Sequence, residues 1–119
     1  MKLAVITGLL GLSLLNATAK PAAPSRVQVV AREYSFALSR LHVRAGTAVI
    51  ELANFGQDPH DLRVQRAGAK HIAGLGVVAP GKRGELTVKL APGRYSFWCS
   101  VANHRKLGMR TALVVTRSS

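Results

Sequence analysis

The chain has 119 residues, which suits one domain of ordinary size and is too short for two. Hydrophobic residues make up 48 % of it and charged residues 18 %, so the composition excludes a disordered protein. Seventeen lysines and arginines stand against five acidic residues, and this formal charge of +12 favours acidic partners and argues against a carboxylate-rich calcium site.

Residues 1–19 are predicted to be an export signal. The apolar run 3–15 follows a basic start and is shorter than the roughly 20 residues of a membrane span. The small residues of Ala17-Thr18-Ala19 predict cleavage before Lys20. The alternative is an uncleaved membrane anchor. Cleavage would remove one lysine and lower the charge from +12 to +11, with residues 20–25 as a flexible lead-in.

The remaining chain, residues 26–119, is predicted to be one all-β domain. Eleven glycines and five prolines indicate many turns, and short segments with apolar–polar alternation lie between them. Seven or eight such strands predict a β-sandwich. The predicted strands cover residues 26–31, 34–38, 41–44, 47–53, 60–64, 84–90, 94–99 and 111–116. Residues 66–82 show no clear alternation, and a short helix is one interpretation of that stretch.

Alternation also predicts which side chains share a face of a strand. Tyr34, Phe36 and Leu38 share one face of their strand. Later in the chain, Tyr95 and Phe97 are expected in the core, with Trp98 pointing the other way as a partly exposed packing residue or an electron route. The remaining histidines, His42 and His71, have no partner pattern and are expected at the surface.

Residues of metal-binding type are concentrated in Cys99-x4-His104-x4-Met109, in the loop before the last strand. His60 follows an earlier loop. Thiolate and thioether are soft donors that suit copper(I), while imidazole accepts both oxidation states. Two histidines, one cysteine and a weak axial methionine are the donor set of blue copper sites.

Ordinary roles exist for each of these residues taken singly. Cys99 and Met109 could be core residues, and His60 a loop histidine. Exported proteins usually pair their cysteines, so a lone cysteine is a leftover thiol, an intermolecular link or a functional thiolate. Zinc could use the same donors, but zinc sites with three protein ligands usually keep a water in the fourth position.

The sequence resembles the cupredoxin family of small blue copper proteins, which includes plastocyanin, azurin and auracyanin. The resemblance spans nearly the whole mature chain. It is carried by 34–36 and 43–47, by 52–56 with Pro59-His60-Asp61, and by 91–99 with His104 and Gly108-Met109. It implies a Greek-key β-sandwich and one type 1 copper ion bound by His60, Cys99, His104 and Met109.

Three positions depart from the family pattern. Asp61 stands where many members have an asparagine that ties the two ligand loops together, and it would bring a negative charge close to the metal. Asn103 and Thr111 stand where glycine is common. None of the three removes a ligand.

The resemblance implies a periplasmic or secreted single-electron carrier that is not an enzyme. The alternative is a copper-binding protein for storage, delivery or resistance. Arg105, Lys106 and Arg110 are interpreted either as a positive rim for a redox partner with an acidic docking face or as a solvated surface. Nucleic acid is not expected as a partner, because the basic residues are scattered and no stacking motif accompanies them. The mature protein is expected to be a monomer without membrane insertion.

Overall fold

The computed structural model describes residues 1–6, 8–16 and 18–118. Within these ranges no regular secondary structure precedes Ser25, and no helix is long and apolar enough to cross a membrane. The export signal and its cleavage stay predictions. Ala17, in the predicted cleavage motif, and Thr7, in the apolar run, lie outside the described residues, as does Ser119 at the end of the predicted domain.

Nine strands form the domain among the residues that the structure describes. They are β1 (Ser25–Arg32), β2 (Ser35–Leu38), β3 (His42–Arg44), β4 (Gly46–Asn54), β5 (His60–Arg66), β6 (Ala73–Val78), β7 (Arg83–Leu90), β8 (Gly93–Trp98) and β9 (Arg110–Thr116). One sheet has the order β2-β1-β4-β7 and the other β3-β9-β8-β5-β6. The pairs β1–β4 and β3–β9 are parallel, and the remaining pairs are antiparallel. The predicted Greek-key β-sandwich is confirmed.

The ninth strand is β6, in the stretch for which a short helix had been one interpretation. The part of the chain that the structure describes contains no helix there. Within the described part of the chain, β6 is an edge strand that pairs only with β5, and most of its residues are half-buried or exposed. Because Gly74 and Gly76 contribute no side chains, the period-two signal of a strand is missing from its sequence.

The core lies between the inner faces of the two sheets. Alternate residues of β1 and β4 are buried against alternate residues of β5, β8 and β9, as in any sheet with one covered face. Tyr95 and Phe97 are buried as predicted, and burial of an aromatic or leucine side chain contributes about 1.5–3 kcal/mol. The predicted strand 34–38 begins one residue later, at Ser35, so Tyr34 lies in the turn before β2 and is 37 % exposed.

The strand pairing brings two distant segments to the same end of the sandwich. β5 is antiparallel to β8, with Arg63 opposite Trp98, so the beginning of β5 lies beside the end of β8. β8 in turn pairs with β9, and the loop 99–109 connects them. His60, the first residue of β5, therefore lies next to this loop.

Candidate metal centre

Three buried side chains converge where β5 and the loop 99–109 meet. The Nδ1 atoms of His60 and His104 are 3.2 Å apart. The Cys99 Sγ atom lies 3.9 Å from His60 Nδ1 and 3.6 Å from His104 Nδ1. Among the described residues, these three form a group of donors close enough together to hold one metal ion.

The size of this triangle fits a metal ion. The point in its plane equidistant from the three donor atoms lies about 2.1 Å from each, close to the roughly 2.0–2.3 Å typical of metal bonds to histidine nitrogen and cysteine sulfur. Two imidazoles and one thiolate in a trigonal arrangement suit copper in both oxidation states. The donor set and its dimensions therefore agree with a copper ion.

Met109 is buried beside this triangle. The Cys99 N–H donates to the Met109 carbonyl at 3.1 Å, and the Met109 N–H donates to the His104 carbonyl at 3.1 Å. These bonds close the loop on itself, so that all three side chains belong to one compact turn. Gly108, before Met109, has a φ of 118°, and an added Cβ would lie 3.2 Å from the Tyr34 carbonyl oxygen.

Carboxylates lie behind both histidines. His60 Nε2 is 3.3 Å from Glu33 Oε1, and His104 Nε2 is 3.5 Å from Asp58 Oδ2. Both rings thus direct Nδ1 toward the centre of the triangle and Nε2 outward. A carboxylate in this position holds the tautomer and the ring orientation of a metal-binding histidine. Sequence reasoning missed Glu33 and Asp58. Their only signal was that they are two of just five acidic residues.

These carboxylates are themselves held in place. The backbone N–H groups of Gln57 and Asp58 both donate to Glu33 Oε1 at 2.6 Å. The bond from Asp58, more than that from Gln57, lowers the pKa of Glu33 below its usual value. The Tyr34 hydroxyl donates to Asp58 Oδ2 at 3.1 Å, which raises the pKa of Tyr34, and its ring lies 4.9 Å from that of His104.

Comparison with known proteins agrees with this geometry. A family model described as a cupredoxin-like domain matches residues 3–115. The chain belongs to the cupredoxin-like domain family. A search of curated protein sequences finds no significant relative of this cupredoxin.

Solved structures share its fold. The reduced auracyanin of the photosynthetic bacterium Roseiflexus castenholzii superposes with a TM-score of 0.66 at 19 % identity, over 80 % of this chain and 99 % of that one. Auracyanin A of Chloroflexus aurantiacus, described as a "blue" copper protein, gives 0.66 at 19 % over 79 % and 100 %. A multicopper oxidase gives 0.61 at 15 %, and this cupredoxin spans 46 % of that longer chain.

Asn54 shapes the loop that precedes His60. Its side-chain amide donates to the carbonyls of Asp58 and Val78 at 2.8 and 2.9 Å, and its carbonyl oxygen accepts from the Gly56 N–H at 2.9 Å. A single buried side chain thus satisfies three backbone groups of the loop and its neighbour β6. The loop is held to the end of β4, and this fixes where β5 and His60 begin.

Asp61 faces the loop 99–109. One carboxylate oxygen accepts from the Ser100 N–H at 2.6 Å, and the other accepts a short hydrogen bond from the Ser100 hydroxyl. Arg63 Nη2 lies 3.6 Å from the same carboxylate and partly balances its charge. Asp61 therefore ties the two ligand segments of this cupredoxin together, which is the function that the family resemblance assigns to an asparagine.

The Cys99 side chain is buried and is not exposed to solvent. Burial raises the pKa of the thiol, and hydrogen bonds from the backbone N–H groups of Asp61 and Val101 partly offset this by lowering it. Cys99 would hold a metal ion as the thiolate, and the positive charge of a bound ion would stabilise that thiolate in this buried position.

His104, which lies next to Arg105 in the chain, is only 6 % exposed. Arg105 lies over the Trp98 ring, 4.6 Å from its centre. Trp98 points away from the core, as alternation predicts, but Arg105 covers it and it is only 8 % exposed. His42 and His71 are exposed, as expected.

Proposed function

We propose that this cupredoxin binds one copper ion through His60, Cys99, His104 and Met109 and acts as an exported single-electron carrier. The observation that carries the proposal is the buried triangle of two Nδ1 atoms and one Sγ atom, 3.2–3.9 Å on a side. Copper, when bound, supplies a one-electron couple between copper(I) and copper(II).

The surrounding residues suit a carrier because they keep the donors in place. Glu33 and Asp58 hold the outer nitrogens of the histidines, and Asp61 holds the loop against β5. A site whose geometry changes little between two oxidation states exchanges electrons with little rearrangement. Met109 would be the fourth, weak donor of this proposal, and its soft sulfur would favour copper(I).

Electron transfer is favoured over catalysis and over copper delivery by the burial of the site. All four proposed ligands are buried, so no substrate reaches an open coordination position. Copper storage, delivery or resistance is the second candidate function. A delivery protein must release its metal to a receiver, whereas ligands enclosed by the sandwich favour retention.

The proposed location is the periplasm or the extracellular space, on the strength of the apolar segment at residues 3–15. The proposed partner is a redox protein with an acidic docking face, which the formal charge of +11 expected for the cleaved chain supports. We further propose that the mature protein is monomeric, is not inserted in a membrane and does not bind nucleic acid.

The visible spectrum of the purified protein with copper(II) tests the site. We expect a blue protein, because charge transfer from the Cys99 sulfur to copper absorbs visible light. Cys99→Ser should abolish the colour, since an alcohol is a poor soft ligand. His71→Ala, which removes an exposed histidine, is the matched control and should stay blue. A blue Cys99→Ser variant would contradict the proposed site.

The same sample separates carrier from delivery protein. A carrier should keep its copper through many cycles of reduction and reoxidation in the presence of a copper(I) chelator. Transfer of the copper to the chelator within a few cycles would favour the delivery function.

A further inference from the structure

A cleft of about 410 Å³ lies on the outer face of the five-stranded sheet, on the side of Trp98 away from the core. Three arginines line it. Arg94 comes from β8, Arg110 from β9, and Arg105 from the loop 99–109. Ser96 and Ala112 are small neighbours between them. We name this set, with Trp98, the arginine cleft.

The register between β8 and β9 places the strand residues of the arginine cleft next to one another. Trp98 lies opposite Arg110, and Ser96 lies opposite Ala112, so side chains that alternate outward on β8 and β9 meet on one surface. The small side chains of Ser96 and Ala112 leave the space between the arginines open. The stacking of Arg105 on Trp98 holds one guanidinium at the wall of the cleft.

The three arginines have no acidic partner among the described residues. Of the five acidic side chains, Glu33, Asp58 and Asp61 are engaged at the metal centre. The other two, Glu51 and Glu85, lie opposite each other on the four-stranded sheet, where Glu51 pairs with Arg83 at 2.7 Å. The arginine cleft is therefore a concave surface of uncompensated positive charge, which attracts an anionic group.

We propose that the arginine cleft is the docking site for a cluster of aspartate and glutamate side chains on the redox partner, an inference that rests on the proposed carrier function. Guanidinium groups bind carboxylates with two parallel hydrogen bonds, and three of them around one cleft select a carboxylate-rich segment. Trp98 precedes Cys99 in the chain, so a partner seated here lies close to the sulfur of the metal centre.

The surface around His104 is a poorer docking site for such a partner. His104 is nearly covered, and the carboxylate of Asp58 lies at its outer nitrogen, beside the exposed ring of Tyr34. Glu33 is in the same region, behind His60. Two carboxylates at this end repel acidic side chains, whereas the arginine cleft attracts them. The charge distribution thus places docking on the face of the sheet.

Binding of a hexaglutamate peptide to the full chain, measured by calorimetry and by amide shifts in NMR, tests the cleft without relying on electron transfer. Shifts should be concentrated at residues 94–98 and 105–112, and the affinity should fall as salt screens the charges. Arg94→Glu should weaken binding about tenfold or more, the loss expected for one charge-assisted contact. Lys89→Glu, the same charge change on the outer face of the four-stranded sheet, should weaken it less than about twofold.

Equal losses in the two variants would overturn the proposal, because net charge alone would then explain binding. Sulfate that displaces the peptide at equal concentration would also overturn it, since the cleft would be a site for small anions.

Stopped-flow electron transfer with an acidic and a basic cytochrome c is the second measurement. Arg94→Glu should slow the acidic protein alone and leave the visible spectrum unchanged.

These measurements separate the two proposals. Peptide binding at the cleft in a protein that does not turn blue would defeat the proposed copper function and leave the anionic site standing. A blue, redox-active protein whose reaction with the acidic cytochrome is unaffected by Arg94→Glu would defeat the docking site and leave the carrier standing.

Discussion

The two segments that build the metal centre are held in place by different means. The segment 54–60 is fixed by side chains: Asn54 bonds to its backbone, and Glu33, from the turn between β1 and β2, accepts two of its N–H groups. The loop 99–109 is fixed mainly by its own backbone, through bonds among Cys99, His104 and Met109.

This difference explains why residue spacing indicates the ligands of the loop 99–109 but does not reveal what supports the segment 54–60. A loop that closes on itself needs its ligands at set intervals, and the spacing Cys99-x4-His104-x4-Met109 shows them. A segment that depends on Glu33 has its support 27 residues before His60. The contact of His104 with Asp58, the bond from Ser100 to Asp61 and the proposed metal connect the two segments into one site.

The largest effect expected from separating the segments is the loss of stabilisation by the metal. A ligand that binds only the folded state, at about 1,000 times its dissociation constant, adds about 4 kcal/mol to the free energy of unfolding. Thermal melts of the wild type should shift upward with copper(II). In His60→Ala the shift should nearly vanish, because one segment no longer contributes a ligand, whereas His42→Ala should keep it. If the melting temperature of the wild type did not change with copper(II), the folded protein would not contain the proposed metal site.

The next largest effect concerns the connection between Asp61 and Ser100. Asp61→Ala should lower the free energy of unfolding by about 1–3 kcal/mol in the metal-free protein, because it removes hydrogen bonds to a buried carboxylate. Ser100→Ala removes the hydroxyl and keeps the backbone donor, so its effect should be smaller. Urea unfolding of both variants and of the double variant measures the coupling, and strictly additive losses would show that the side chains do not interact.

The smallest expected effect compares the carboxylates behind the two histidines. Glu33→Gln and Asp58→Asn should each raise the reduction potential of the copper protein, because a nearby negative charge favours copper(II). Each shift should be small, because solvent screens both of these partly exposed carboxylates. Glu33 should have the larger effect, since its side chain is 27 % exposed and that of Asp58 is 41 %.

Voltammetry of the two variants measures this difference, with Glu85→Gln on the four-stranded sheet as the matched control. The control should leave the potential nearly unchanged because Glu85 is exposed on the outer face of the four-stranded sheet and contacts neither histidine. A shift as large in Glu85→Gln as in Glu33→Gln would mean that net charge, and not the contact with His60, sets the potential.

Most of the fold could be predicted from local pattern. Eight of the nine strands show alternation or β-branched residues, and alternation depends only on neighbours in the chain. β6 could not be predicted in this way, because as an edge strand with glycines it gains its conformation by pairing with β5. The start of β2 was also predicted wrongly from local pattern. Tyr34 alternates with Phe36 as a strand residue would, but β2 begins only at Ser35.

The sequence by itself determined the donor types of the site and their spacing in the loop 99–109, because a single turn brings those residues together. Only the tertiary structure decided what lies around them. The carboxylates behind the histidines, the bond of Asp61 to Ser100 and the grouping of Arg94 with Arg105 and Arg110 all join residues on different strands or loops. Such contacts depend on sheet order and register, which arise from the packing of the whole sandwich and leave no periodic trace in the chain.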